Sequence, residues 1–273
     1  MKIGCQVSIA DSIAEAPKRA YDLGCETFQI FSRSPQGGKA TDLTSKLKEK
    51  FKLNLAKYKI SDFVIHTPFY INFASTNNRI RYGSSGVVRD ELERGSLLGA
   101  RYVMTHLGSA KELGLKEALK QTAEMLQKSL DGYTGSTKLL IENSAGAGEI
   151  IGDDLSEIAK IIKLTGNKNI AGICLDTQHS FASGYDWNDF DKTLEKIDKE
   201  IGLKNIKLLH VNDSVSDLGS HIDRHAHIGQ GKIGLENFQK IVAFAQKNNI
   251  DMICETEHEG VKEDMKILKK FRK

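Results

Sequence analysis

Eight short apolar segments alternate with amphipathic stretches in this chain of 273 residues. That pattern predicts an α/β fold, a single-domain (β/α)₈ TIM barrel over residues 1–273. The segments are KIGCQVSI (2–9), TFQIFS (27–32), DFVIHT (62–67), RYVMTH (101–106), KLLIEN (138–143), AGICLDT (171–177), IKLLHVND (206–213) and DMICET (251–256). Their near-continuous apolarity marks strands covered on both faces, as in parallel sheets. Between them, 115–130 and 235–249 place apolar residues at three- and four-residue spacing, the helical pattern. Asp154, followed by Glu157 and an apolar run, predicts a helix start. Length alone would also allow two ordinary domains. However, the chain has only 3 prolines and no Pro/Gly/Ser-rich linker to divide it.

Composition narrows the class. Hydrophobic residues make up 40% of the chain, enough for a large core. A formal charge of +3 permits nucleic-acid binding without requiring it. No signal-peptide pattern opens the chain, and no apolar run approaches the roughly 18 residues of a membrane span. A soluble, cytoplasmic monomer with no membrane partner is expected. Cys5, Cys25, Cys174 and Cys254 lie far apart with no C-x-x-C. Cys174 and Cys254 sit in apolar runs, so reduced, buried thiols are expected rather than disulfides or a thiolate metal site.

Chemistry gathers at the strand ends. Strand three ends at His66, strand four at His106, strand five at Glu142, strand seven at His210 and strand eight at Glu255. Strand six ends at Asp176, with His179 just beyond. The loop after strand seven adds Asp223 and His225, two apart in an extended segment and so on one side of it. A (β/α)₈ barrel collects its C-terminal strand ends into one mouth. Singly, each residue has an ordinary explanation: a satisfied core imidazole, half of a salt bridge, a local turn bond. Jointly they do not, because five of the 8 histidines fall at equivalent places. Burying such a set without counter-charge is very costly, and cations remove that cost. A site for more than one metal follows. Imidazole and carboxylate without thiolate suit Zn, Mn or Fe. Loaded with divalent ions, the site would favour an anionic substrate.

Other signals carry less. Gly229–Gly234 matches G-x-G-x-x-G, but DRHAHI precedes it rather than a buried strand, so a tight loop beside the metals is expected. AGAGEIIG (145–152) lacks the Lys and Ser/Thr of a P-loop and reads as a loop. The terminal KILKKFRK reads as a solvated helix face. Trp187 reads as packing rather than as a pocket cover.

Three segments, LLIENSAGAG (139–148), CLDTQHSFASGYD (174–186) and the stretch from Leu209 to Gly234 containing GSHIDRHAHIGQGKIG, carry a resemblance. With the weaker blocks HTPFYINFAS (66–75), THLGS (105–109) and ICET (253–256), the chain resembles the endonuclease IV family of zinc-dependent apurinic/apyrimidinic endonucleases over essentially its whole length. The resemblance implies a TIM barrel with three Zn²⁺ ions, with Mn²⁺ or Fe²⁺ admissible at some positions. It implies His66 and His106 on the first ion and Glu142 bridging first and second. Asp176, His210 and Glu255 would complete the second, and His179, Asp223 and His225 would hold the third. Glu142 and Glu255 stand as catalytic residues. Arg33, Gln36, Phe69, Tyr70, Arg224 and Lys232 stand as DNA contacts. The implied reaction is hydrolysis 5′ to an abasic site in duplex DNA, leaving a 3′-hydroxyl and a 5′-deoxyribose phosphate. Removal of 3′ blocking groups, base excision repair and association with the nucleoid during repair are implied with it.

Two regions depart from the family pattern. Gln6 stands where a His is usual in the first strand, and the loop after strand two reads Ser34-Pro35-Gln36-Gly37-Gly38-Lys39. Gln36 takes the place of a DNA-inserting Arg, and Gly38 that of a Trp. Weaker duplex binding is therefore expected, with Phe69 as the aromatic wedge. The rival readings are a sugar isomerase or epimerase on the same barrel, and a metal-loaded lesion-binding protein that does not cut. The first generally lacks the D-x-H segment, which is complete here; the second conflicts with the intact ligand set.

Overall fold

A computed structural model describes residues 1–272. Eight parallel strands close into the expected barrel: β1 (Ile3–Gln6), β2 (Thr27–Phe31), β3 (Val64–His66), β4 (Tyr102–Thr105), β5 (Lys138–Glu142), β6 (Ile170–Asp176), β7 (Ile206–His210) and, at the end of the chain, β10 (Asp251–Cys254). The cyclic order is β1-β10-β7-β6-β5-β4-β3-β2, so each strand lies beside its sequence neighbours and β10 closes on β1. Seven of the eight segments predicted from apolarity contain one of these strands, and the segment 171–177 covers β6 except for its first residue, Ile170. Gly4 permits the closest approach of β1 to β2, because a Cβ there would lie 1.8 Å from the Thr27 carbonyl oxygen.

Helices α1 (Ala16–Leu23), α2 (Ser45–Lys57), α3 (Asn78–Leu98), α4 (Leu115–Leu130), α5 (Leu155–Thr165), α6 (Thr177–Ala182), α7 (Phe190–Glu200), α8 (Leu235–Asn248) and α9 (Val261–Phe271) fill the connections. In α4 the buried residues Ala118, Leu119, Thr122, Ala123, Met125, Leu126, Ser129 and Leu130 form one face, the stripe its spacing predicts. Asp154 caps α5 by accepting from Ser156 N. Glu157 does not complete a capping box; it accepts from Gly152 N at 2.9 Å and ties the preceding turn to the helix. Residues 266–271 of the terminal basic run lie on α9, whose Val261, Met265 and Leu268 pack inward while Lys266 and Lys270 stay exposed; Arg272 follows the helix and Lys273 lies outside the described residues. Among the described residues no helix is long and apolar enough to cross a membrane.

Inside the barrel, Val64, Met104, Leu140, Cys174, Leu208 and Ile253 form a separate apolar cluster. It plugs the lower interior and supports the mouth above. One element was not predicted. β8 (Asp213–Ser214) and β9 (His225–Ala226) form an antiparallel two-stranded sheet in the loop after β7. All four cysteines are free and buried: Cys174 and Cys254 as expected, and Cys5 and Cys25 as well, with their sulfurs 3.5 Å apart.

Candidate metal centre

Six barrel strands bring a histidine or a carboxylate to the mouth at, or one residue beyond, their C-terminal ends. His66, Glu142, Asp176 and His210 are the final residues of β3, β5, β6 and β7. His106 and Glu255 lie one residue beyond β4 and β10. Asp176 also begins α6: its carboxylate accepts from His179 N at 2.7 Å, which aims the His179 ring into the mouth. The β8–β9 pairing sets Ser214 opposite His225 and holds His225 over the opening. Trp187 is buried and donates through Nε1 to Thr177 O at 3.0 Å and Ser180 Oγ at 3.1 Å. It packs, as expected, and fixes α6 from behind.

Three groups of side chains place ligand atoms within 4.8 Å of one another: His66, His106 and Glu142; Glu142, Asp176, His210 and Glu255; and Asp176, His179 and His225. Glu142 belongs to the first two, and Asp176 to the last two. Glu142 is fully buried, and its two oxygens face different partners. Oε2 lies 2.9 Å from His66 Nε2 and 3.6 Å from His106 Nε2. Oε1 lies 2.7 Å from His210 Nδ1 and 3.6 Å from His179 Nδ1. Asp223 is outside the three tight groups and more than half exposed, and Glu255 is only partly buried, so of the four carboxylates expected to be buried Glu142 and Asp176 alone are fully so. It approaches from the solvent side, 3.3 Å from both His179 Nε2 and His225 Nε2.

The surrounding hydrogen bonds orient the rings. His66 Nδ1 donates to Thr67 O at 2.6 Å, and His179 Nδ1 donates to Asn143 O at 3.0 Å. Each ring thereby turns Nε2 to a carboxylate. Asn212 donates to Asp176 Oδ2 at 2.6 Å and accepts from Glu255 N at 2.8 Å. Gln29 joins Glu255 to His210. None of Asn143, Asn212 and Gln29 was singled out from sequence, because a neutral amide in an apolar strand carries no charge signal.

Electrostatics show how much charge is confined here. Burial alone would push the Glu142 and Glu255 carboxyls up, but the imidazoles around them prevail. Glu142 lies well below the ordinary range, and Glu255 falls to about 2, chiefly through His210. Burial raises Asp176, with His179 and His225 opposing. Burial works against charge on His179, yet Asp176 and Asp223 hold it at about 10. Burial lowers His106 to about 4.

This arrangement fits metal cations. His66 Nε2 and His179 Nε2 face the oxygens of Glu142 and Asp223 at the places where cations would neutralise those carboxylates. His225 Nε2 is buried without an aligned hydrogen bond. The donors are imidazole and carboxylate, a set suited to zinc, manganese or iron.

The mouth opens into a cavity of about 470 Å³ lined both by His66, His106, His179, Asp223, His225 and Glu255 and by the apolar side chains of Phe31, Phe69, Ile71, Ala145, Ala147 and Ile150. Phe31, not anticipated from sequence, meets Phe69 edge-on at 5.1 Å between ring centres. The Gly229–Gly234 loop is held by an unanticipated residue. The Asp213 carboxylate accepts from the backbone N–H groups of Gly229, Gly231 and Ile233 at 2.9–3.0 Å. The Asp213 carboxylate thus fills this glycine-rich turn from within, and the β8–β9 pairing ties Asp213 to the segment that bears His225.

The expected DNA contacts divide. Phe69 is 65% exposed and Tyr70 40% exposed at the rim, and Gln36 and Arg224 are exposed. Lys232 is exposed but paired with Asp217. Arg33 is corrected: it is 8% exposed, and its guanidinium is bound by Asp90 and Glu91 of α3. Its charge is compensated inside the protein, and it anchors the start of the loop that bears Gln36.

Comparison with known proteins fits this geometry. Residues 17–271 match the family model described as a xylose isomerase-like TIM barrel. A protein named probable endonuclease 4 from Methanoculleus marisnigri is 38% identical over 258 residues, 93% of this chain and 92% of its own. One of the same name from Cenarchaeum symbiosum is 35% identical, covering 100% of this chain and 99% of its own. The crystal structure of endonuclease IV from Thermus thermophilus superimposes with a TM-score of 0.87 at 33% identity, covering 100% of this chain and 98% of that one. A D-tagatose 3-epimerase-like protein also superimposes, with a TM-score of 0.77 at 22% identity over 99% of this chain and 97% of that one, a likeness that shows the barrel fold alone. With relatives this similar from end to end, the chain belongs to the endonuclease IV family of xylose isomerase-like TIM barrels.

Proposed function

We propose that this protein is an apurinic/apyrimidinic endonuclease that hydrolyses the phosphodiester 5′ to an abasic site, leaving a 3′-hydroxyl and a 5′-deoxyribose phosphate. The observation that carries the proposal is Glu142, a fully buried carboxylate whose two oxygens serve two different groups of candidate ligands. His66 and His106 would hold one divalent cation with Glu142. Asp176, His210 and Glu255 would hold a second with it. His179, Asp223 and His225 would hold a third, next to Asp176. Zinc suits the donors best, since a single ion type accepts both imidazole-rich and carboxylate-rich shells. Such cations supply a water activated near neutral pH and neutralise charge on the phosphate and the leaving oxygen.

The chain's own residues do the rest. Outer amides and carbonyls keep the imidazoles turned inward, so the site is organised before substrate arrives. The apolar side chains of Phe31, Ile71 and Ile150 offer a dry surface to a deoxyribose ring. Phe69 at the rim would occupy the gap left in the duplex, with Gln36, Tyr70, Arg224 and Lys232 along the backbone. An abasic nucleotide has no base to unstack, so its extrusion costs little and the pocket selects it. A 3′-blocked end would present the same phosphodiester to the same groups.

The test is an abasic-site duplex incubated with the protein and resolved on a denaturing gel. Cleavage yielding a 3′ end that a polymerase extends directly is expected. A product bearing only a modified sugar at its 3′ end would mean β-elimination and overturn the hydrolytic reading. Binding without cleavage would favour a lesion-binding protein. Inert DNA together with turnover of a ketose would favour an epimerase.

A further inference from the structure

Six barrel strands bring a histidine or carboxylate to the mouth; β1 and β2 bring amides, Gln6 and Gln29, which are register partners. Gln29 is fully buried. Its Nε2 donates to Glu255 Oε1 at 2.6 Å, and its Oε1 lies 2.8 Å from His210 Nε2. A side-chain amide donates only through nitrogen and accepts only through oxygen, and an ionised carboxylate only accepts. The amide therefore has one orientation: nitrogen toward Glu255, oxygen toward His210. An acceptor facing His210 Nε2 keeps the proton on that nitrogen. A neutral imidazole then has its lone pair on Nδ1, which points at Glu142 Oε1 (2.7 Å) and Glu255 Oε2 (3.0 Å). Gln6 does not share this task, because its Oε1 is buried without a hydrogen-bond partner.

We propose that Gln29 is a positioning residue for the group Glu142, Asp176, His210 and Glu255. It fixes His210 as an Nδ1 ligand and, through the same amide, sets the rotamer of Glu255. This rests on reading that group as a cation site. One neutral side chain thus ties two ligands from different strands into a unit. A charged residue in its place would break the unit: a carboxylate would repel Glu255, and an ammonium would deny His210 an acceptor.

The experiment uses the full chain, stripped with a chelator and refilled with Zn²⁺ alone. Zinc affinity is measured by competition with a chromophoric chelator, for the unaltered protein and for Gln29→Met, which keeps length and removes both hydrogen bonds. Loss of an outer hydrogen-bond partner typically weakens metal binding about 10–100-fold. That loss is expected for one equivalent of zinc, with the others unchanged. Long-range ¹⁵N–¹H spectra of the zinc-loaded, unaltered protein should show His210 protonated at Nε2 and bound through Nδ1. His210 bound through Nε2 would overturn the proposal, and so would a folded Gln29→Met that holds every zinc as tightly as the unaltered chain. Should Gln29→Met fail to fold, the spectrum of the unaltered chain decides. An unaltered chain that takes up no zinc would overturn the cation site itself, and this proposal with it.

Discussion

The lower and upper barrel interiors are built by the same strands, two residues apart. Below lie Val64, Met104, Leu140, Cys174, Leu208 and Ile253. Above each, two positions later in sequence, lie His66, His106, Glu142, Asp176, His210 and Glu255. A strand repeats its facing every second residue, so each pair shares one face and differs only in height. The lower layer is what a barrel needs to fold: apolar volume at close packing. The upper layer opposes folding by itself, since buried carboxylates and imidazoles need counter-charge. A single step along six strands thus separates stability from chemistry.

Exchanging a residue in each layer should break the comparison in opposite ways. Glu142→Gln keeps shape but removes the charge that two ligand groups share. Cations supply several kcal/mol of charge stabilisation, so cleavage should fall on the order of a thousand-fold. Elemental analysis should show metal lost from the purified protein. Wild-type cleavage rates with full metal content in this variant would remove Glu142 from the centre. Leu140→Ala, one step below, should instead lower stability by about 2–5 kcal/mol through lost burial and a cavity. Denaturant unfolding would measure it, with metal content kept in the folded fraction. If Leu140→Ala emptied the centre while leaving stability intact, the two layers would not be separable.

The same period of two explains what was legible in the sequence. Eight apolar runs disclosed the strands, and the His, Asp or Glu at the end of six of them disclosed the mouth. The strand ends were less sharp: His106 and Glu255 lie one residue past β4 and β10, where the chain is already turning. The β8–β9 pairing was not legible, because two strands of two residues leave no periodicity. Gln29 was invisible because its partners stand 181 and 226 residues away. Arg33 misled for the same reason. Beside a DNA-loop motif it looked like a surface cation, but Asp90 and Glu91 on α3, 57 and 58 residues on, claim it.

Acidity offers a finer probe of the upper layer. In the cation-free chain His179 is raised to about 10 and His106 lowered to about 4, around an ordinary histidine value of 6.5. A raised histidine favours the fold fully below 6.5, and that contribution is lost as pH rises toward 10. A histidine held neutral favours the fold fully above 6.5, and that contribution is lost as pH falls toward 4. Chelator-treated protein should therefore unfold at the highest urea concentration near pH 6.5 and weaken on both sides. His179→Gln should reduce the alkaline loss without removing it, because His66, His210 and His225 are raised by neighbouring carboxylates as well. Saturating zinc should cancel the alkaline loss, because cations bind the deprotonated rings. Stability of the chelated protein that is as high at pH 9 as at pH 6.5 would contradict the charge pattern drawn here.

The smallest effect is expected at the rim, away from both layers. Gln36 is exposed, and Gly37 and Gly38 follow it at φ of 122° and 101°, a region side chains disfavour. The loop is pinned at its ends by Arg33 on α3 and by Arg94, which donates to Thr41 O at 2.9 Å. If the loop contacts DNA as proposed, the backbone between those pins is ordered on binding, at roughly 1–2 kcal/mol per residue fixed. Arg33 cannot supply the missing charge, since its guanidinium is held by carboxylates. Gln36→Arg should therefore tighten duplex binding and, through one added phosphate contact, steepen the log–log salt dependence by about 0.9. Cleavage at saturating DNA should hardly change, because no ligand moves. A salt titration of binding to an abasic duplex reads the slope directly. Phe69→Ala, which removes the exposed ring beside Phe31, should weaken the same binding. If both variants bind as the unaltered protein does, neither the loop nor the wedge recognises the lesion, and selection rests on the cavity walls alone.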